Sequence, residues 1–443
     1  MTNIVEMAAN TPAPIEMLDG RVLTEKELSM LHQLNKEFFY IVLGSKHRIM
    51  TFKPCPIDGV RMTFEQINDF YRYFEHEEKV ANKNQGVAWF KWPGKTFYKN
   101  GLGYYPDETK LPKSVFNTFQ GFGCKPIKGD VTLILQLVRD GLCSGDEMAF
   151  TYFIQWLAHI FQKPSQKPTV AVLMKSAEGT GKGTLFKLLK KMLGTNAYQV
   201  NGSYQLTGRF NGVIAKRLLI FGDEVDMTDK GVYDRAKGII SEDTISLELK
   251  GIDPEPIPNL ARFIFAGNHD QIIRAGSRER RFLVLEPSTQ MIENQQYWDK
   301  VNHQIDNGGD TAFMDYLLSL DISDFNPYKA PATQGLINEK VMSLSGAQGF
   351  IYSELTKERP FSNAARLFAT QLVSDYLQWS FNNNSKPSPP KAQSQVGKMM
   401  KNLGIESQGR SGRGQGKYYE LPELDILQTT FAKLLGHEKD DLF

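Results

Sequence analysis

A glycine-rich segment, SAEGTGKGT at positions 176–184, most constrains what this chain can fold into. It follows a short apolar, β-branched run at residues 169–174, which is typical of a buried strand. The next residues, 184–193, combine an apolar face with lysines and predict an amphipathic helix that ends at Gly194. Small residues between a strand and a helix let backbone N–H groups surround phosphate oxygens. We therefore expect a phosphate-binding loop in which Lys182 reaches the β- and γ-phosphates.

The loop departs from the general pattern G-x-x-x-x-G-K-[ST] at two places. Ser176 stands where the first glycine is usual, and Gly183 stands where the Mg²⁺-binding hydroxyl is usual, with Thr184 one residue later. Taken alone, so degenerate a match could also be a glycine-rich turn that binds no ligand. The position of the segment between a strand and a helix argues against that alternative. The expected nucleotide-binding residues are Glu178, Gly179, Thr180, Gly181, Lys182, Gly183, Thr184 and Asp223.

Adjacent carboxylates follow a second apolar run, in RLLIFGDEVD at residues 217–226. At the carboxyl end of a strand, Asp223 can bind Mg²⁺ together with the Thr184 hydroxyl, and Glu224 can orient or deprotonate an attacking water. Taken alone, an Asp-Glu pair is more often part of a solvated loop. Its place after a strand, 41 residues (223 − 182) beyond the loop lysine, favours a functional pair.

Two more polar groups border apolar runs further along. Asn268 ends the run RFIFAGNH at residues 262–269 and could hydrogen-bond a γ-phosphate or the water. Residues 277–282, SRERRF, hold arginines that could stabilise charge on a phosphoryl group at a subunit boundary. A turn-capping asparagine and a solvated basic turn are the alternatives. Together with the loop and the acidic pair, these groups predict ATP as the ligand and Mg²⁺ as its metal.

Strands that alternate with helices predict an α/β fold with a mostly parallel sheet. The 52 basic and 50 acidic residues leave a formal net charge of +2, so composition alone indicates no nucleic-acid or membrane partner. Three cysteines without a CxxC pair argue against a zinc finger or a disulfide framework. The N-terminus lacks the apolar core of a signal peptide, and no run is long enough to span a membrane. We expect a cytoplasmic protein.

The motifs resemble those of superfamily-3 helicases, the AAA+-type motors of small viruses, phages and mobile elements. They are most similar to the phage and plasmid primase-helicases, whose loop is EGTGKGT, as at residues 178–184 here. The similarity covers about residues 85–290. It implies an AAA+-like P-loop NTPase core. It also implies that the protein forms a homo-hexameric ring in the host cytoplasm. No paired-aspartate strand precedes the loop, so we expect no primase activity within this chain, and a separate primase is a candidate partner.

The resemblance also implies roles for residues outside the loop. Residues 244–259 resemble the hairpin that projects into the central channel of such a ring, with Lys250 gripping DNA. The alternative is that Lys250 has no role in binding DNA, because hairpin tips in general favour lysine and glycine. The arginine that acts on the neighbouring subunit's ATP aligns best with Arg280, then Arg281, then Arg278. The expected catalytic residues are Glu224, Asn268, Arg280 and Arg281.

A basic module near the C-terminus predicts a winged-helix-like DNA-binding domain. We expect helices at residues 364–381 and 392–403, then a Gly/Arg loop and an extended KYYEL segment. Lys398 and Lys401 would lie on the second helix, with Arg410 and Arg413 in the wing. A solvated basic linker is the alternative.

These motifs divide the chain into five regions. We expect residues 1–85 to form an N-terminal region of unknown role, 86–165 an aromatic-rich and helical region, 166–300 the ATPase core, 301–350 a helical connection, and 351–443 the winged-helix-like domain. Residues 86–123, rich in glycine and aromatics, predict short strands and turns.

Three functions remain open from the sequence. The first is an ATP-driven DNA helicase that replicates a phage, satellite or plasmid. The second is an origin-binding initiator whose ATPase is an assembly switch. The third is an ATPase that acts on a different substrate, as in a packaging or defence machine.

Overall fold

The computed structural model describes residues 16–56, 59–202, 214–247, 255–277, 279–409 and 416–443. Within these ranges the chain forms an N-terminal α+β unit, a central unit around a parallel sheet, and a C-terminal unit of helices with a small antiparallel sheet. No helix in these ranges is long and apolar enough to cross a membrane.

The N-terminal unit is a sheet with helices packed on one face. Its elements are β1 (Met17–Leu18), β2 (Arg21–Val22), α1 (Glu25–Glu37), β3 (Phe38–Leu43), β4 (Lys46–Cys55), β5 (Gly59–Glu65), α2 (Ile67–Arg72), α3 (Gln85–Lys91) and β6 (Phe97–Tyr98). The strand order is β5-β4-β3-β6, antiparallel except for the parallel β3/β6 pair. Phe70 and Trp89 are fully buried in one core with Leu31, so residues on both sides of position 85 pack together.

The glycine- and aromatic-rich residues 86–123 contain more helix than we expected. Besides β7 (Leu102–Gly103) and β8 (Phe116–Asn117), the segment includes most of α3. This helix forms because the Asn84 side chain caps it, accepting hydrogen bonds from the backbone N–H groups of Gly86 and Val87 at 2.9 and 3.3 Å. The expected short strands are present as β6, β7 and β8, but the pattern did not predict this helix.

A five-stranded parallel sheet forms the centre of the molecule. Around it lie α4 (Thr132–Gln136), which continues as a π-helical turn (Leu137–Leu142), α5 (Glu147–Gln162), β9 (Ala171–Lys175), α6 (Lys182–Leu193), β10 (Ala197–Asn201), β11 (Leu219–Asp223), α7 (Lys230–Ser241), β14 (Arg262–Gly267) and β15 (Phe282–Leu285). The strand order is β10-β11-β14-β9-β15. Val172 and Met174 share a core with α5 and α6, whereas Ala171 and Leu173 share one with α7. The expected mostly parallel α/β core is thus confirmed.

A hairpin leaves this core between α7 and β14, as expected. Strands β12 (Thr244–Leu247) and β13 (Glu255–Pro258) pair antiparallel, with Thr244 opposite Pro258 and Ile245 opposite Ile257. The hairpin tip and Lys250 lie outside the described residues.

The C-terminal third is mainly helical. Its elements are α8 (Gln295–Gln304), α9 (Asp310–Ser319), α10 (Gln334–Met342), α11 (Gly346–Leu355), β16 (Arg366–Phe368), α12 (Ala369–Asn382), α13 (Pro389–Asn402), β17 (Ser407–Gln408), β18 (Tyr418–Glu420) and α14 (Leu424–Leu435). We expected helix from residue 364, but β16 comes first because it pairs with β18 and buries Leu367. The small sheet has the order β16-β18-β17.

Candidate functional site

The glycine-rich loop joins β9 to α6 at the carboxyl edge of the parallel sheet. Gly179 and Gly181 have φ angles of +79° and +97°, in a backbone region that side chains rarely adopt. A Cβ on Gly181 would lie 2.8 Å from both Leu137 Cδ1 and Trp298 Cη2, whereas a Cβ on Gly183 would meet nothing within 4 Å. The loop therefore requires glycine at position 181, both for its positive φ angle and because a Cβ there would clash. Gly183 faces open space.

The Lys182 ammonium points back into this loop. Its Nζ donates hydrogen bonds to the backbone carbonyls of Ser176 at 2.8 Å and Ala177 at 3.2 Å. Burial lowers the pKa of Lys182, while the charges of Asp223 and Glu178 raise it. Thr180, which is 2% exposed, shares a hydrogen bond of 2.7 Å with the Ser176 hydroxyl. A positive charge thus lies inside a loop braced by its own side chains.

The polar ends of β11 and β14 lie at the same edge of the sheet as the loop. The Ser176 N–H donates to Gly267 O at 3.1 Å, and the Val225 N–H donates to Ala266 O at 3.0 Å. These bonds tie the segments after β9, β11 and β14 together. Asp223, Glu224 and Asn268 therefore border the loop, with Asp223 half-buried and the other two exposed.

Glu224 has an unusual backbone conformation. Its φ angle is +51°, the left-handed region that costs most side chains free energy. Its N–H donates to Asp223 Oδ1 at 3.1 Å, which helps to hold both carboxylates at the strand exit. Such strained positions cluster at functional sites.

The arginines after β14 lie elsewhere. Arg280 and Arg281 immediately precede β15, so they are at the amino edge of the parallel sheet, about 13 Å from the loop edge for a strand of four residues. Arg281 Nε donates to Ser241 Oγ at 2.8 Å, and its guanidinium is 3.8 Å from Glu279. Arg280 is exposed. Arg278 lies outside the described residues.

Buried Glu279 holds this arginine segment in place. One of its carboxylate oxygens accepts the backbone N–H groups of Arg280 at 2.9 Å and Arg281 at 2.8 Å, and the other accepts the Tyr233 hydroxyl. Burial and the neighbouring Glu279 raise the pKa of Tyr233, so the phenol stays protonated and donates. The segment is therefore a fixed feature of the amino edge.

A cavity of about 360 Å³ opens beside the loop. Its lining residues are Gly179, Gly181, Lys182, Gly183, Thr184, Ile292, Trp298 and Asn302. Trp298 Nε1 donates to Met291 O at 2.7 Å, and Asn302 Nδ2 donates to Trp298 O at 2.9 Å, which fixes the ring against the loop. Sequence patterns did not indicate Ile292, Trp298 or Asn302, because these residues follow β15 and reach the loop only through the fold.

The expected DNA-binding lysines of the C-terminal unit lie on α13. Lys398 and Lys401 are exposed, one helical turn apart, whereas Val396 and Met399 face the core. Lys391, two turns before Lys398, is exposed on the same helix. Arg410 and Arg413 lie outside the described residues.

Known proteins resemble this chain in part. Residues 174–281 match a family of unknown function, DUF5906. The DNA primase-polymerase of Nitratiruptor phage NrS-1 is 26% identical over 223 residues, which are 49% of this chain and 29% of that protein. The chain is thus homologous to part of this phage primase-polymerase and covers under a third of its length.

Solved structures share the fold over nearly the whole chain. The apo structure of the NrS-1 C-terminal region, residues 305–718, has a TM-score of 0.64 at 17% identity and covers 90% of this chain and 99% of that one. An A-form apo structure of the same region has a TM-score of 0.63 at 16% identity and covers 88% and 97%.

The glycines of the loop allow a matched stability test. Gly181→Ala should lower the free energy of unfolding by about 1–3 kcal/mol, because of its φ angle and the clash with Leu137 and Trp298. Gly183→Ala should leave it unchanged or raise it by up to about 1 kcal/mol, since alanine favours helix over glycine. Urea denaturation followed by circular dichroism measures both, and equal losses would contradict this description of the loop.

Proposed function

We propose that this chain is an ATP-dependent DNA helicase that assembles as a ring and acts in the replication of a phage, satellite or plasmid. One observation carries the proposal. The glycine-rich loop with Lys182, the carboxylates of Asp223 and Glu224, and Asn268 meet at one edge of a parallel sheet, where such folds bind ligands. The core is then a P-loop NTPase of the AAA+ type.

The phosphates of ATP would lie in the loop. Lys182 would exchange the Ser176 and Ala177 carbonyls for phosphate oxygens, and the N-terminus of α6 adds its positive dipole. Asp223 and the Thr184 hydroxyl suit Mg²⁺, which takes one or two protein oxygens and completes its shell with water and phosphate. When bound, the ion would neutralise charge on the β- and γ-phosphates.

Hydrolysis would use groups on two subunits. Glu224 would orient or deprotonate the attacking water, and Asn268 would hydrogen-bond the γ-phosphate. Because Arg280 lies at the edge opposite its own loop, it could contact only a neighbour's ATP. Arg280 suits this role better than Arg281, whose side chain is held by Ser241 and Glu279. A ring follows from this division, and the helicase resemblance favours six subunits.

DNA contacts would come from two places. The β12–β13 hairpin would present Lys250 to a single strand in the ring's channel. The C-terminal unit, with α11, α12, α13 and three short strands, has the elements of a winged helix, and α13 carries Lys398 and Lys401. Similarity to a phage DNA primase-polymerase supports DNA replication as the setting, and a separate primase stays a prediction.

The first test is strand displacement on a forked DNA duplex with ATP. Lys182→Ala should abolish displacement and lower ATP turnover by about 100-fold or more, because the loop loses its charge for the phosphates. Lys187→Ala is the matched control, since that lysine lies on the same helix and pairs with Asp306 at 3.1 Å. A Lys182→Ala protein that still unwinds DNA would overturn the proposal.

An origin-binding initiator is the second candidate, favoured by the exposed lysines of α13. Here the ATPase would serve assembly, and the C-terminal unit would select duplex DNA. Lys250→Ala separates the two functions. For a helicase, we expect it to abolish strand displacement while affinity for ATP and duplex DNA stays near that of wild type, because Lys250 belongs in sequence neither to the glycine-rich loop nor to α13. Undiminished displacement would remove the hairpin from the mechanism.

The cavity beside the loop indicates that Trp298 contacts the base of the nucleotide. Trp298→Ala should weaken ATP binding by about tenfold through lost contact with the base, whereas Trp298→Phe should retain most of it. Inorganic tripolyphosphate, which has no base, should compete for the loop equally well in all three proteins. A parallel loss of tripolyphosphate binding in Trp298→Ala would show that the ring only supports the loop.

A further inference from the structure

The N-terminal sheet carries a row of stacked rings that ends at its edge. Phe97 on β6 stacks on Tyr40 of β3 with ring centroids 4.3 Å apart and planes at 15°. Tyr40 stacks in turn on His47 of β4, at 5.7 Å and 23°. Since β6 is the last strand of the sheet, Tyr40 covers one side of the Phe97 ring, and among the described residues no strand follows on the other side. Phe97 is 40% exposed.

The row is held rigidly. The Tyr40 N–H donates to Thr96 O at 3.0 Å, and the Tyr40 hydroxyl lies 2.5 Å from His47 Nδ1. Phe90, at the end of α3, meets the Tyr40 ring edge-on at 4.8 Å. An exposed aromatic ring in a fixed orientation pays little entropy when a second flat group stacks on it.

The chain segments that carry these rings are basic. Residues 38–56 and 89–99 contain Lys46, Arg48, Lys53, Lys91, Lys95 and Lys99 and no aspartate or glutamate. Lys95 and Lys99 flank Phe97 along the chain, and the Lys95 ammonium is 5.9 Å from the Phe90 ring. The carboxylate of Glu65, on the far strand β5, is paired with Lys53 at 2.6 Å.

We propose that this surface, Phe97 with Lys91, Lys95 and Lys99, binds single-stranded DNA. An unpaired base would stack on the outer face of Phe97 and extend the row of rings, while the lysines contact the phosphates on either side. Aromatic rings interleaved with positive charge are the usual means of binding single strands, since every base has a stacking face. Duplex DNA does not fit, because its bases are already stacked on each other. This site is independent of the proposed ATPase.

The test measures binding of a fluorescent oligothymidine to the full chain without ATP, in a Lys250→Ala background that removes the expected channel contact. Phe97→Ala should weaken binding by about 5- to 150-fold, the range for one base–ring stack. Phe97→Tyr should restore it. Phe64→Ala is the matched control, because Phe64 is 39% exposed on β5 of the same sheet and lies outside the row of rings.

Two further measurements complete the test: the salt dependence of binding and the preference among kinds of nucleic acid. Changing Lys95 and Lys99 together to glutamine should lower the log–log salt slope by about 1.4, at about 0.7 per phosphate contact on a single strand. The proposal is overturned if Phe97→Ala leaves oligothymidine binding unchanged, or if Phe64→Ala weakens that binding as much as Phe97→Ala does. A loss of duplex DNA affinity in Phe97→Ala that equals its loss of oligothymidine affinity also overturns it, and a preference of the Phe97-dependent binding for single-stranded RNA would reassign the site to that strand.

Discussion

The structure depends on the in-register alignment of β9, β11 and β14 in one parallel sheet. Because all their carboxyl ends lie at one edge, the loop after β9, the carboxylates after β11 and the asparagine after β14 become neighbours although they are far apart in sequence. Backbone hydrogen bonds from Ser176 to Gly267 and from Val225 to Ala266 extend this alignment beyond the strands. Everything proposed for the site follows from that edge.

A buried ionic contact connects this edge to the C-terminal unit. Lys175, the last residue of β9, lies 3.4 Å from Glu339 of α10, whose side chain is fully buried. The Glu339 carboxylate also accepts the backbone N–H groups of Ile272 and Ile273 at 3.1 and 2.9 Å. Burial raises the pKa of Glu339, and these partners lower it. The segment after β14 is thereby held by the helix that leads into the C-terminal unit.

A second buried contact joins α10 to the end of the chain. The Lys340 ammonium lies 3.0 Å from His437 Nε2, just after α14. Burial and the charge of Lys340 lower the pKa of His437, so the imidazole accepts the hydrogen bond as a neutral ring. With Glu339 facing the sheet and Lys340 facing α14, one turn of α10 holds both units.

Local patterns predicted much of the core and little of its assembly. The apolar runs at residues 169–174, 217–226 and 262–269 correspond to β9, β11 and β14, and the helix after the loop begins only two residues before its expected start, at Lys182. The patterns failed where tertiary contacts decide: α3 forms in a glycine- and aromatic-rich stretch because its Asn84 cap and buried Trp89 favour helix. The aromatic run at residues 64–74 supplies Phe70 to the core.

The sequence by itself determined which chemical groups the chain brings to its site, because a glycine-rich loop, adjacent carboxylates and a strand-end asparagine are local patterns. The tertiary structure decided where those groups lie, since strand order depends on pairings between distant segments. Only the order β10-β11-β14-β9-β15 puts Asp223 beside the loop and Arg280 at the opposite edge. Only packing brings Trp298 to Gly181, and only strand pairing aligns Phe97 with Tyr40.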